Sequence, residues 1–110
     1  MPTSAIVRLP QPEFTGEVTV EQALLTRRSV RSFAQSALSL AELSQLLWAA
    51  QGVTSARGHR TAPSAGALYP TEIYAALTAV QGLEDGLYHF SIARHGLSPV
   101  SYTHLTLPTN

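Results

Sequence analysis

The apolar positions of this chain fall into two helical stretches followed by two extended ones. Leu40, Leu43, Leu46, Leu47 and Ala50 recur at intervals of three and four, which is one face of a helix. Ser39-Leu40-Ala41-Glu42 at their start is a capping box, in which hydroxyl and carboxylate satisfy each other's backbone donors, and Gly52 supplies the stop. Thr19-Val20-Glu21-Gln22 fits the same box and predicts a shorter helix through about Thr26, with Val20, Ala23 and Leu24 as a narrow apolar stripe. Residues 54–62 are polar and contain glycine, hence a loop, and the small residues at 63–70 form a turn able to begin a short helix. Glu72 to Val80 is a β-compatible apolar run, Gly82 to Gly86 a turn, and Leu87-Tyr88-His89-Phe90 a second strand, so a hairpin is expected. The order helix, helix, strand, strand predicts an α+β layer arrangement rather than a doubly wound sheet.

The two ends lack this periodicity. Pro2, Pro10 and Pro12 make residues 1–16 an extended N-terminal arm expected to pack on something else. From Pro99 onward the sequence resembles the translation of an adapter used in transposon-based sequencing libraries. Residues 99–110 are therefore expected to be foreign and are set aside from fold reasoning. Residues 17–98 would then be the N-terminal half of a domain whose remainder would follow Ser98. Such a half is expected to leave apolar surface uncovered on the helix from Leu40 to Ala50 and to be poorly soluble.

Composition narrows the function classes. A chain of 110 residues is bounded at one modest domain. Seven arginines, with no lysine, balance seven acidic residues, so no net field favours nucleic acid, an anionic membrane or a polycation. The absence of cysteine removes disulfides, thiolate metal sites and a thiol nucleophile. No stretch approaches the ~20 apolar residues of a membrane span, and the start lacks a secretory core, so a cytoplasmic location is expected.

Two clusters carry candidate chemistry. Arg27, Arg28 and Arg31 surround the hydroxyl of Ser29, and guanidinium groups bind phosphate through paired donors. The plainer alternative is a solvated charge cluster after a helix, whose C-terminus favours cations. Pro63, Ser64, Ala65, Gly66 and Ala67 offer backbone N–H groups and one hydroxyl with little bulk, which suits close approach by a flat ligand and equally suits an ordinary tight turn. His59, His89 and His95 show no metal-ligand spacing and are read as surface or packing residues, with no metal expected; His104 lies in the tail. Trp48, Tyr69 and Tyr74 are read as core packing, with Tyr69 close enough to the small-residue turn to touch a ligand ring.

Taken together and in order, Arg-Arg-Ser-x-Arg-x-Phe at 27–33, Leu-Trp-Ala-Ala-Gln-Gly-Val at 47–53, Ala-Pro-Ser-Ala-Gly-Ala-Leu-Tyr-Pro at 62–70 and Gly-Leu-Tyr-His-Phe at 86–90 resemble the SagB-type dehydrogenases of the nitroreductase superfamily. The resemblance runs from about Ile6 to Leu97 and implies a partial nitroreductase-like fold, helices packed on an antiparallel-rich sheet. It implies FMN as cofactor, held on its phosphate, ribityl and ring-edge side by Arg27, Arg28, Ser29 and Arg31. It also implies a homodimer, in which Pro63, Ser64, Ala65, Gly66 and Ala67 reach the flavin of the other subunit. Nitroreductases outside this branch carry Pro-Ser-Ser-x-Asn at that turn, where this chain has Ala65 and Ala67. The departure favours the SagB-type branch, which oxidises azoline rings in modified peptides to azoles. An NAD(P)H-dependent nitro or quinone reductase and a non-catalytic flavin-binding domain are the alternatives. The flavin supplies the hydride chemistry, so no catalytic acid or base is assigned in this half.

Overall fold

A computed structural model of the chain describes residues 6–64, 66 and 71–100. Its elements run β1 (Val7–Arg8), α1 (Val20–Thr26), α2 (Leu40–Gln51), β2 (Ile73–Leu77), β3 (Gly86–Ser91) and β4 (Gly96–Pro99). The strands form one antiparallel sheet in the order β1-β4-β3-β2. The architecture is α+β, as the element order implied.

The capping box opens α2. Ser39 Oγ accepts from the Glu42 N–H at 3.1 Å, and the Glu42 carboxylate accepts from the Ser39 N–H at 3.0 Å. At α1 the Thr19 hydroxyl accepts from the Gln22 N–H. Gly52 ends α2 in an extended conformation, and its lack of a side chain is needed for close approach rather than for an unusual backbone. A Cβ there would lie 2.0 Å from Trp48 Cδ1.

The hairpin pairs Ile73 with Phe90 and Leu77 with Gly86. β2 stops at Leu77, three residues before the apolar run does. Ala79 adopts φ 57, which breaks the ladder, and its N–H is taken by the Asp85 carboxylate at 3.1 Å. Val80 then bridges in parallel to Leu38, which ties the segment leading into α2 to the hairpin. β4 had no counterpart among the expected strands. It pairs Leu97 with Phe90 on one side and with Val7 on the other, so the N-terminal arm enters the sheet as its edge. The pairing reaches Pro99, and the Val100 N–H donates to the Leu87 carbonyl at 2.9 Å.

The core lies between α2 and the sheet. Leu43 and Leu47 share one buried cluster with Leu9, Leu77, Val80, Tyr88, Phe90 and Leu97. Tyr88 keeps its hydroxyl satisfied by donating to the Glu84 carbonyl at 2.6 Å. Burial first, and then the charges of Glu84 and Asp85, push its pKa above the usual tyrosine value.

Exposed apolar surface falls elsewhere than expected. On α2, Leu43 and Leu47 are buried and Leu46 is the large aliphatic left out, at 60% exposure. The larger expanse is Phe14, Val18, Val20, Leu24, Leu25, Val30 and Phe33, all more than half exposed, and α1 buries no residue. The helical spacing of Val20, Ala23 and Leu24 is therefore real, but no part of the described chain covers it. Tyr74, expected in the core, is 58% exposed on the outer sheet face, and Trp48 is half-buried. Tyr69 lies outside the described residues.

Gly52→Ala is expected to cost about 1–3 kcal/mol, because the Trp48 ring must leave its place. Urea unfolding followed by tryptophan emission measures this directly, and an unchanged midpoint would show that the ring has room to move.

Candidate functional site

The first cluster begins where α1 ends. Arg27 is the C-cap residue, its N–H bonded to the Ala23 carbonyl, and the chain from there through Arg31 has no regular secondary structure. The four side chains divide by role. Arg28 turns back on the helix: its guanidinium donates to the carbonyls of Leu25 at 3.1 Å and Arg27 at 2.8 Å. These are carbonyls that a helix end leaves without partners, and a cation there also meets the negative end of the helix dipole. The side chains of Arg27, Ser29 and Arg31 are exposed and make no hydrogen bond or ion pair within the described residues. Two guanidiniums and one hydroxyl are thus available to an anion, while Arg28 is committed to the helix end.

The second cluster is described in part. Pro63 is exposed, Ser64 is half-buried, and Gly66 stands at φ 68, a left-handed conformation that glycine adopts without strain. Ala65 and Ala67 lie outside the described residues. The loop leading here is pinned to the end of α2: the Thr61 N–H donates to the Gly52 carbonyl at 2.9 Å, and Val53 bridges Arg60. Gln51 Oε1 and Thr61 Oγ1 are buried at the two ends of this loop, with no hydrogen-bond partner among the described residues.

No described hydrogen bond joins the two clusters within the chain. A groove of about 580 Å3 instead runs between the arm and α2, lined by Phe14, Thr15, Ala41, Gln45 and Trp48. Phe14 and Trp48 meet there with ring centroids 5.4 Å apart.

Each described histidine has a local partner. His59 Nδ1 lies 2.8 Å from Ser55 Oγ, His89 Nε2 lies 2.7 Å from the Glu72 carboxylate with its ring against Tyr74, and His95 Nε2 lies 2.7 Å from Ser44 Oγ. Among the described residues, no three His, Asp or Glu side chains converge as a metal site would require. No described helix is long and apolar enough to cross a membrane. The Ser44–His95 contact was not foreseen, because neither residue has a neighbour in sequence that marks it; the helical spacing does place Ser44 beside Leu43 and Leu47 on the buried face.

The sequence model of the nitroreductase family matches residues 24–94, a span that contains both clusters, α2 and the hairpin. The chain belongs to the nitroreductase family. A relative from Methanocaldococcus jannaschii is 47% identical over 91 residues, covering 83% of this chain and 44% of its own length. A crystal structure from Ralstonia eutropha superposes with a TM-score of 0.71 at 37% identity, covering 88% of this chain and 44% of that one. Each is named a putative nitroreductase. The chain thus spans less than half the length of these two family members.

Arg28→Ala is expected to speed amide exchange of the last turn of α1 by about two- to fivefold, the equivalent of roughly 0.3–1 kcal/mol of lost dipole and carbonyl pairing. Arg27→Ala should leave that exchange unchanged. Equal effects of the two would remove the division of roles drawn between these arginines.

Proposed function

We propose that the protein to which these residues belong is an FMN-dependent oxidoreductase of the SagB type, working as a homodimer with the flavin at the subunit interface. The observation that carries this reading is the donor set of the Arg27, Ser29 and Arg31 side chains, exposed and unengaged among the described residues after α1 in a chain of the nitroreductase family. Two guanidiniums and a hydroxyl suit a dianionic phosphate and the polar ribityl chain attached to it. Arg28 fits less well than the resemblance implied, since binding through it would uncover the carbonyls of Leu25 and Arg27. The flavin, once bound, supplies hydride transfer, and the chain's own residues hold and orient it.

The second cluster supports close approach. Gly66 stands at a positive φ and carries no side chain, so its backbone can be approached closely. In the homodimer, Pro63, Ser64, Ala65, Gly66 and Ala67 meet the flavin that the partner's arginines hold. The uncovered apolar surface of α1 supports the dimer, because a seven-residue helix that buries nothing is unstable alone.

Oxidation of azoline rings in modified peptides is the activity that the Ala65 and Ala67 departure favours. The second reading is an NAD(P)H-dependent nitro or quinone reductase, favoured by the names that the two relatives carry. Steady-state turnover with a nicotinamide donor separates the two.

The full-length protein is expected to purify with a bound-flavin absorption spectrum, weakened in both Arg27→Ala and Ser64→Ala. A colourless protein that takes up no added FMN would overturn the proposal. Leu24→Glu should convert the full-length dimer to monomer in sedimentation and release flavin with it, whereas a dimer that survives this change would move the interface away from α1.

A further inference from the structure

The groove between the arm and α2 has walls of one charge sign. The chain as a whole is neutral, yet from Leu9 to Thr26 its ionisable side chains are Glu13, Glu17 and Glu21, and along α2 the one such side chain is Glu42. Every arginine and histidine lies outside these two segments. Of the two carboxylates that line the groove, Glu13 makes no side-chain bond among the described residues, and Glu42 commits one oxygen to the Ser39 N–H.

The walls are fixed before anything enters. Gln45 accepts from the Glu13 N–H and donates to the Glu13 carbonyl, each at 2.9 Å, and the Ser44 hydroxyl donates to the Pro10 carbonyl. Trp48 directs its indole N–H at the Val53 carbonyl, 3.4 Å away, and its Cδ1 edge stands over Gly52. Phe14, 62% exposed, meets that ring at 5.4 Å with a tilt of 55°. A smaller cleft of about 230 Å3 shares both rings and is otherwise lined by Pro12, Val53, Ile92, Ala93 and His95, with no carboxylate. The same aromatic pair thus borders two clefts, and the one along α2 carries the negative charge.

An aromatic face attracts a cation through its quadrupole, and a guanidinium can lie flat on a ring while its N–H groups reach carboxylates. Ala41 and Trp48 mark the extent of the groove along α2, about 10 Å at the rise of a helix. That is the reach of about three extended residues. A groove of about 580 Å3 is larger than one guanidinium needs, and Gln11 and Thr15 add neutral polar groups to its wall, which suits a short piece of backbone beside the charged side chain.

We propose that this groove binds an arginine side chain presented by an extended segment of a partner peptide, with the guanidinium against Phe14 and Trp48 and its donors on the carboxylates of Glu13 and Glu42. The groove uses none of the residues assigned to flavin, so binding here stands or falls separately from that reading.

Saturation-transfer NMR on the full-length protein tests it, with the blocked tripeptide acetyl-Gly-Arg-Gly-amide beside its citrulline counterpart, which keeps the shape and loses the charge. The arginine peptide should bind at least about fivefold more tightly, and added salt should weaken it while leaving the citrulline peptide unchanged. Glu13→Gln and Phe14→Ala, both at exposed positions, should each weaken arginine binding about two- to fivefold with the circular-dichroism melting curve unmoved. Should one variant melt early, the other and the citrulline comparison decide. Equal affinity for the two peptides, arginine binding that both variants retain, or no transfer to the arginine peptide at millimolar concentration would each overturn the proposal. Arginine binding that falls as protein concentration rises would overturn it as well, giving the groove to a second copy of the chain.

Discussion

Leu43 and Leu47 sit one turn apart on α2 and share a buried cluster with Phe90 and Leu97, the two most enclosed large apolar residues of the sheet. This contact is the one on which the other arrangements depend. Removing a large core side chain such as Phe90 costs about 3–5 kcal/mol, a large part of what a domain of this size possesses. The capping box at Ser39 fixes where α2 starts, and the phase of the helix then decides that Ser44 faces the arm. Gly52 lets the last turn close under the Trp48 ring, and the loop toward the second cluster is hydrogen-bonded to that glycine's carbonyl. The arginine cluster has no such support. It hangs from α1, which buries nothing within the described residues.

The legible and illegible parts of the sequence divide along the same line. α2 was readable because apolar spacing, cap and stop agreed over twelve residues. The hairpin was readable because two apolar runs flank a glycine-bounded turn. β4 was hidden: Gly96-Leu97-Ser98-Pro99 contains one large apolar residue and both of the usual strand breakers, yet Leu97 is fully buried. Its place is fixed by Phe90 on one side and Val7 on the other, and long-range partners leave no local pattern. The early end of β2 was equally hidden, since Ala79 takes a positive φ and its N–H meets the Asp85 carboxylate, six residues away.

Burial was harder to read than helicity. The stripe of Val20, Ala23 and Leu24 and the stripe of Leu40, Leu43 and Leu47 obey one spacing rule, but only the second finds a sheet to cover it. Spacing states which face a helix can bury and is silent on what buries it. Tyr74 shows the strand version of this limit, because alternation along β2 assigns it a face while the register with His89 decides that the face is the outer one. Among the site residues, family resemblance grouped four side chains at 27–31 by type. Geometry separates them, because the Arg28 guanidinium turns back onto the carbonyls of Leu25 and Arg27, and the side chains of Arg27, Ser29 and Arg31 make no such bond among the described residues.

That separation bears on how a site of this kind is held together. A phosphate gripped by exposed, flexible guanidiniums gains charge but little orientation, since each long side chain loses freedom on binding. Arg28, already fixed on the carbonyls of Leu25 and Arg27, adds positive charge next to the other two without spending its own freedom on the ligand. It also stiffens the helix end from which they project. The small residues of the second cluster act in the opposite way, offering backbone in place of side chains and so losing little on contact. In the proposed site, an anion gathered by the first and a flat ring approached by the second would divide the work of binding one ligand between charge and shape.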